Sequence, residues 1–546
     1  MQRKKLACIA MAMLSQTAVF AGGLLTNTNQ SFIFGRNFAR DGVIAIDGVY
    51  SNPAGVAFLG KGLHLSLGGQ SASQTRTIRS GMTLLKPAGL PMTDEQWMQS
   101  PYAHPLSLNG GDANGIKSFK GEASAPFVPS VQAALNYDKW GFQFAFGLVG
   151  GGGKCTFNRG LGSFERQVAL LPSILQLANT TYQQQYGIDL GLGSNTPGYS
   201  VESYIHGQQY VFGFQFGSTY KVNENLAVYG GFRFNYIYNK YEGSISNITV
   251  NINGQNENLY SYLGTKADAL ANQALSYQEQ ASNYTRLAQE ATLAGNEQAA
   301  QQYAAAAEQL TKGAQLAQGG AVGGVRSQVA DRNLDCTQRG WGITPIIGID
   351  YRWGKLNLGA RLEFTTHLNI ENDTKVDDTG LFADGVNTPN DIPGILTVGG
   401  CYEILPTWRV MASYHYYFDK DARMDKDKQK LLSSNTWEWA LGSEYDISDA
   451  LTVSAGMQRT KYGLGDGSYL TDMSFTTSSY SYGFGAKVRV APKVTVEASY
   501  FWTNYETFDK EYDQEYSAAG MSAKAHNTDQ FTRTNKVFGV GVNLDF

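Results

Sequence analysis

Fourteen short segments of alternating apolar and polar residues, the last running to the C-terminal Phe546, constrain this chain more than any other feature. In the final segment Phe538, Val540, Val542, Leu544 and Phe546 fall on one face, and Gly539, Gly541, Asn543 and Asp545 on the other. A side-chain period of two makes such a strand apolar on one side and polar on the other. The expected strands lie near 61–77, 127–137, 140–150, 209–221, 226–240, 340–352, 356–369, 394–404, 408–418, 436–446, 451–461, 479–490, 494–506 and 534–546. Tight turns such as Tyr137-Asp138-Lys139, Trp353-Gly354-Lys355 and Ala491-Pro492-Lys493 alternate with long polar links. A soluble sandwich also alternates, but short turns at one end and long loops at the other mark a transmembrane barrel, whose closure leaves no edge unpaired in lipid. The expected fold is all-β: a 14-stranded antiparallel transmembrane β-barrel over residues 61–546.

The start of the chain bears on its compartment. Arg3, Lys4 and Lys5 precede an apolar run from Leu6 to Phe20 that closes on Val19-Phe20-Ala21. This is the form of a secretory signal peptide over residues 1–21, cleaved after Ala21, and it points to the bacterial outer membrane. Cys8 would leave with it, so Cys155, Cys336 and Cys401 remain, enough for at most one bridge. The mature chain has no apolar run of 18 residues, hence no helical span. A net charge of -4 with 16% charged residues offers no basic stripe for nucleic acid. The six histidines form no His-Glu-x-x-His pair and no Cys-x-x-Cys site exists, so neither metal, cofactor nor enzymatic activity is expected.

Strand facing sharpens the membrane reading, because lipid-facing positions should lack charge. Leu226, Val228, Phe232, Phe234 and Tyr236 share a face opposite Arg233; Leu356, Leu358, Leu362 and Phe364 oppose Arg361 and Glu363; Trp408, Val410, Tyr414 and Tyr416 oppose Arg409 and His415. Glu438, Glu444, Glu497, Lys487 and Arg489 also fall inward. The lumen is therefore charged in both signs. These groups either brace the wall by pairing or, for Arg233, Arg361 or Arg409, receive a ligand carboxylate.

Two segments do not behave as wall. The stretch 22–60 precedes the first strand and carries Asn27-Thr28-Asn29-Gln30, Arg36, Arg40 and Ile46 to Gly55; it either plugs the lumen or trails from it. Within it Asn52-Pro53-Ala54-Gly55 has the composition of an ordered turn. With Phe127-Val128-Pro129-Ser130 leading into the second strand and a count of fourteen, this layout resembles the FadL family of outer-membrane transporters for long-chain fatty acids, which includes TodX-like aromatic hydrocarbon channels. The resemblance implies that Asn52-Pro53-Ala54 belongs to an N-terminal hatch. It also implies capture of a hydrophobic ligand by outer loops, a lateral opening at an inward kink of the third strand, and release into the membrane. The second segment, Gly150-Gly151-Gly152-Gly153, stands where that kink would be; it is either the kink or a glycine-rich loop.

The apolar loop at 164–178, with Leu170, Leu171, Ile174 and Leu175, is either a ligand-capture surface or packing for the barrel rim. Alanines and tyrosines recurring every seven residues from Ala267 onward predict a helical hairpin over 258–320, an addition to the compact family form. The expected function is passive passage of hydrophobic small molecules through the outer membrane by a monomer whose partners are that ligand and membrane lipid. The rivals are a hydrophilic porin, which needs an open lumen, and an outer-membrane hydrolase, which needs a serine, a histidine and an acid brought together.

Overall fold

The computed structural model describes residues 24–86, 93–99, 108–172, 198–252, 254–318, 326–518 and 521–546. The segment 1–21, Ile174 and Leu175 lie outside that set. Fourteen strands close into a single antiparallel wall. They are β1 (Gly62–Leu84), β2 (Lys117–Asn136), β3 (Trp140–Phe157), β4 (Tyr199–Lys221), β5 (Leu226–Ile252), β6 (Arg332–Trp353) and β7 (Leu356–Glu363). The second seven are β8 (Ile395–Leu405), β9 (Trp408–Tyr417), β10 (Trp437–Ser448), β11 (Leu451–Lys461), β12 (Ser479–Ala491), β13 (Val494–Tyr505) and β14 (Met521–Asp545). Each pairs with the next, and β14 closes on β1 from His64–Asp545 to Leu84–Ala525. Closure matters because an open edge in hydrocarbon would leave a row of unsatisfied N–H and C=O groups.

The two faces differ as the alternation requires. Phe142, Phe216, Phe232, Ile347, Leu358, Leu441, Phe484, Phe538 and Val540 point outward and are exposed. Inward neighbours such as Gln132, Gln143, Gln215, Arg233, Arg361, Glu438, Glu444, Ser454 and Glu497 are buried. Tryptophans and tyrosines at the short-turn end, including Trp140, Tyr351, Trp353, Tyr402, Trp408 and Tyr445, form the outward aromatic band of one membrane boundary.

Several strands exceed the expected bounds at the long-loop end. β1, β2, β3, β4, β5, β6 and β14 continue well past the apolar band, since above the membrane the ladder persists without needing an apolar outer face. Short strands Gln255–Asn258, Asn369–Asp377, Asn387–Pro389 and Phe508–Ala518 extend the sheet further on that side. The seventh strand is the opposite case: expected to reach residue 369, it ends at Glu363. Beyond it Thr366 forms a single bridge with Ile392. From the β5 to β6 connection rises a helical hairpin, Leu259–Leu293 and Glu297–Gln318, begun by Asn258 accepting the Ser261 N–H and seamed by Ala274, Ala281, Ala307 and Ala314. The small seam residues let the two backbones approach closely. Cys155, Cys336 and Cys401 are all free thiols.

Candidate functional site: a filled lumen and a broken seam

Residues 24–56 are almost all buried, and they run through the barrel interior instead of trailing from it. The expected turn motif docks them on the wall. Asn52 ends the short helix Gly48–Ser51, donates to the Asp350 carboxylate of β6 at 2.6 Å, and accepts the Gly55 N–H. Gln143 of β3 donates to the Pro53 carbonyl at 2.7 Å, and Ala54 has no exposed surface. A Cβ at Gly55 would collide with the Asn52 side chain, so the last residue of the motif must be glycine.

Charge fixes the rest of this face. Arg40 clasps Asp47 through two nitrogens at 2.7 and 2.8 Å and reaches Glu444 of β10 at 3.0 Å. Arg36 bridges Glu444 and Glu497 of β13, and Asp41 meets His415 of β9, whose other ring nitrogen faces Glu438. The three expected lumen arginines are occupied by protein partners. Arg233 binds Glu363 at 2.7 and 2.9 Å and lies over the Tyr50 ring, Arg361 donates to the Tyr50 carbonyl, and Arg409 forks onto Asp446. Burying charge is costly unless it is paired and hydrogen-bonded, and here the pairing joins the plug to the wall.

On the opposite side the seam between β2 and β3 is interrupted. The ladder holds from Asn136–Gly141 to Val131–Phe146, then resumes only at Ala123–Cys155. β2 crosses this gap with Pro126 and Pro129, which have no N–H to give, and its pairing with β1 shifts register between Gln70 and Ala72. β3 crosses it with the four glycines, and its pairing with β4 is irregular between Leu148 and Gly153. Gly151 has φ of 94°, which L side chains rarely adopt, and a Cβ at Gly150 would strike the Leu25 carbonyl of the plug. Gly150 to Gly153 therefore lie inside β3, not in a loop above it.

The plug hydrogen-bonds to β3 carbonyls beside the gap. Asn27 N–H donates to the Val149 carbonyl and the Gln30 side chain to that of Leu148, both at 2.8 Å, while Asn29 and Gln70 of β1 exchange amide hydrogen bonds. The alternation that reveals the wall gives no such role to the polar run Asn27 to Gln30; its only sequence signal is that it lies within six consecutive amide or hydroxyl residues, Thr26 to Ser31, in an otherwise mixed stretch.

Two cavities flank the glycine run. One, of about 40 Å³, is lined by Arg76, Gly153, Cys155, Phe157, Leu161 and Tyr241 among others. The other, of about 10 Å³, is bounded by Gln30, Tyr50, Phe146, Gly147, Gln215 and Arg233. Above the first, the outer loops turn inward and pack. Leu161, Phe164, Leu170, Leu464, Leu470 and Phe475 join Ile78, Phe119 and Phe531 of the strands and Leu24 and Leu25 of the plug in one apolar cluster. Leu170 and Leu171 are thus buried, Leu171 in a second cluster with Ile248, Val250 and Leu259. The helix Gly162–Ala169 is pinned by adjacent charges: Glu165 accepts from Lys117 of β2 and Tyr199 of β4, and Arg166 binds Asp529 of β14 at 2.7 Å.

The comparisons with known proteins agree with this architecture. A family described as outer membrane protein beta-barrel domain matches residues 368–546. No curated protein sequence matches the chain. Among solved structures, a FadL homologue from Pseudomonas aeruginosa is 11% identical, with 96% of this chain and 100% of that one covered and a TM-score of 0.56. The P. putida toluene transporter TodX is 12% identical over 92% and 94% of the two chains with a TM-score of 0.44. The Ralstonia pickettii toluene transporter TbuX is 14% identical over the whole of both with a TM-score of 0.41. At such identities the likeness speaks to the fold: a closed 14-stranded antiparallel barrel of the outer-membrane kind, shared with the P. aeruginosa protein.

Proposed function

We propose that the protein passes hydrophobic small molecules across the bacterial outer membrane by passive diffusion, and that the ligand leaves sideways between β2 and β3. The observation that carries this reading is the coincidence of three things at one place: a seam without ladder bonds, cavities above and below it, and a plug whose amides hydrogen-bond to β3 carbonyls there. An apolar ligand needs no aqueous pore and gains by leaving directly into hydrocarbon, where burial is worth about 25 cal/mol per Å². The barrel fold shared with the P. aeruginosa FadL homologue is consistent with this reading. Ligand would part the inward-folded loops around Leu161 and Leu470, occupy the cavity beside Gly153 and Cys155, and exit past the glycine run. The residues at 22–60 act as a hatch in the barrel, and the chain works as a monomer.

Replacing Gly151 and Gly152 with leucine is the test, read as uptake of a radiolabelled hydrocarbon or fatty acid by cells. Uptake should fall at least tenfold while barrel assembly, measured by heat-dependent gel migration, is retained. Unchanged uptake by the assembled variant would remove the lateral exit. Deleting Gly22 to Tyr50 should in turn raise leakage of small sugars in liposome swelling; a porin would pass them with the intact chain.

A further inference from the structure

The charges on the outside of the barrel are distributed unevenly. On one flank they are neutralised within the protein: Lys240 pairs with Glu242, Arg339 with Asp373 and Lys375 with Asp335. On the flank formed by β11 to β14 the pairing is incomplete: Arg459 meets Glu506 and His526 meets Glu511 and Asp513, while two lysines stand apart. Lys461 at the upper end of β11 and Lys536 on β14 are exposed, and among the described residues neither has a carboxylate within ion-pair distance. Between them Arg459 lies across the Tyr480 ring, 4.2 Å from its centre, and gives one nitrogen to Glu506 at 2.6 Å. Its Nη1 is buried without a hydrogen-bond acceptor. Arg459, Lys461, Lys536 and Glu506 together sum to two positive, and the exposed carboxylates Asp509, Glu511, Asp513 and Glu515 stand farther out, on the strand Phe508–Ala518 that pairs with β14.

Register brings these groups onto one stretch of wall. Arg459 is opposite Tyr480, Tyr480 opposite Asn504, and Trp502 opposite Lys536. Three strand spacings put Arg459 and Lys536 about 15 Å apart. Lys536 stands ten positions before Phe546. On strands tilted by about 40° that is a rise of roughly 25 Å, the height of the apolar band, so the cations sit at the outer boundary of the membrane. Directly below them the outward face is apolar, with Phe484, Tyr500, Phe538 and Val540, and Tyr480, Tyr482 and Trp502 supply the aromatic girdle.

From this arrangement we infer that Arg459, Lys461 and Lys536 form a binding site for a phosphate-bearing lipid of the outer leaflet. The headgroup phosphates are held by the three cations and the acyl chains lie against Phe484, Tyr500 and Phe538. Charge complementarity selects the headgroup, since guanidinium and ammonium groups at a membrane boundary attract anionic lipid. Continuity with the apolar wall selects a lipid over a soluble anion. The inference rests on the outer-membrane reading but not on the cargo, because the patch faces away from the lumen.

The test uses the full chain purified from outer membranes in mild detergent, with phosphorylated lipid A retained per barrel measured by native mass spectrometry. The wild type should carry it, and the combined R459A, K461A and K536A variant should lose it at least tenfold, whereas K240A, on the paired flank, should not change. Delipidated protein should bind added phosphorylated lipid A and not its dephosphorylated form. Equal retention by the triple variant in its native, heat-sensitive form, or equal binding of the dephosphorylated lipid, would overturn the site. Should the triple variant fail to assemble, the exposed single changes Lys461→Gln and Lys536→Gln decide the matter: each should weaken retention several-fold, and no weakening from either counts against the site. Hydrocarbon uptake by these variants should stay at the wild-type level. Retention lost with no uptake in any form, wild type included, would sink the transport reading while leaving this site standing.

Discussion

On the β9 to β13 side of the lumen the plug is held by charge: Arg36 and Arg40 share Glu444, Arg36 also meets Glu497, Arg40 holds Asp47, and Asp41 meets His415. On the β1 to β4 side it is held by amides. Asn27 and Gln30 give hydrogen bonds to β3 carbonyls, Asn29 exchanges with Gln70, and Gln143 reaches Pro53. The two chemistries differ in what their rupture costs. Leaving one partner of a buried ion pair exposed to the low-dielectric interior costs about 3–5 kcal/mol, whereas a neutral hydrogen bond is worth about 0.5–1.5 kcal/mol net. The same segment therefore has an anchored edge and a releasable edge, and the releasable edge lies against the broken seam. Opening would begin by peeling residues 24–30 from β3 while the Arg36 to Asp47 region stays seated.

The anchored edge can be broken first, and most severely, at Arg40. Arg40→Ala strands the buried Asp47 carboxylate and removes one of the cations at Glu444. The expected loss is about 3–5 kcal/mol in plug docking, read as protease sensitivity of the N-terminal segment and sugar leakage in liposomes; a variant as tight and as resistant as wild type would mean the ion pairs do not anchor.

A pH effect of nearly that size is expected where the plug tip meets the outer cap. Burial pushes the Asp419 carboxyl up to about 6, opposed by N–H groups of Thr436 and Leu24. A carboxyl whose value is raised on folding, here from 3.8 to about 6, favours the folded cap fully below about pH 4 and loses that contribution as pH climbs through 6. Two units correspond to about 3 kcal/mol. The protection factors of the Leu24 and Leu25 amides, from which the intrinsic base-catalysed rise of exchange is divided out, should therefore fall between pH 4 and 7 in the wild type, and Asp419→Asn should flatten that profile. A smaller effect belongs to the motif turn. Asn52→Ala removes one of two donors to the buried Asp350 and should cost about 1–3 kcal/mol, measurable as a lowered unfolding temperature of the assembled barrel.

What the sequence reveals about these regions follows the same physical division. The wall is legible because a membrane imposes one rule on every strand, so Phe538 to Phe546 or Leu356 to Leu362 declare their facing by period alone. The turn at Asn52 to Gly55 is legible because proline fixes φ, asparagine caps turns and glycine tolerates conformations other residues avoid. The four glycines mark a weak place in β3, yet only the three-dimensional pairing shows that β2 abandons them between Ala123 and Val131. The partners of the plug were beyond reach: Arg40 and Glu444 are 404 positions apart, and Asn52 and Asp350 298. The inward fold of Leu170 and Leu171 was hidden for a related reason, since a greasy loop reads alike whether it covers a rim or awaits a ligand.

The smallest change tests the releasable edge, and it is the sharpest because its sign differs from all the others. Gln30→Ala removes the side-chain donor to the Leu148 carbonyl and to the Asn27 carbonyl, about 1 kcal/mol of neutral hydrogen bonding, and leaves every ion pair of the anchored edge intact. Barrel stability and sugar leakage should scarcely move. Hydrocarbon uptake should rise, by about fivefold if detachment of residues 24–30 limits passage, since 1.4 kcal/mol is tenfold in an equilibrium. Combined with Arg40→Ala, the gain should vanish, because an unanchored plug no longer peels from one edge. A Gln30→Ala variant that transports more slowly than wild type would mean instead that this amide steadies the exit path, and that the plug must leave β3 from the charged side.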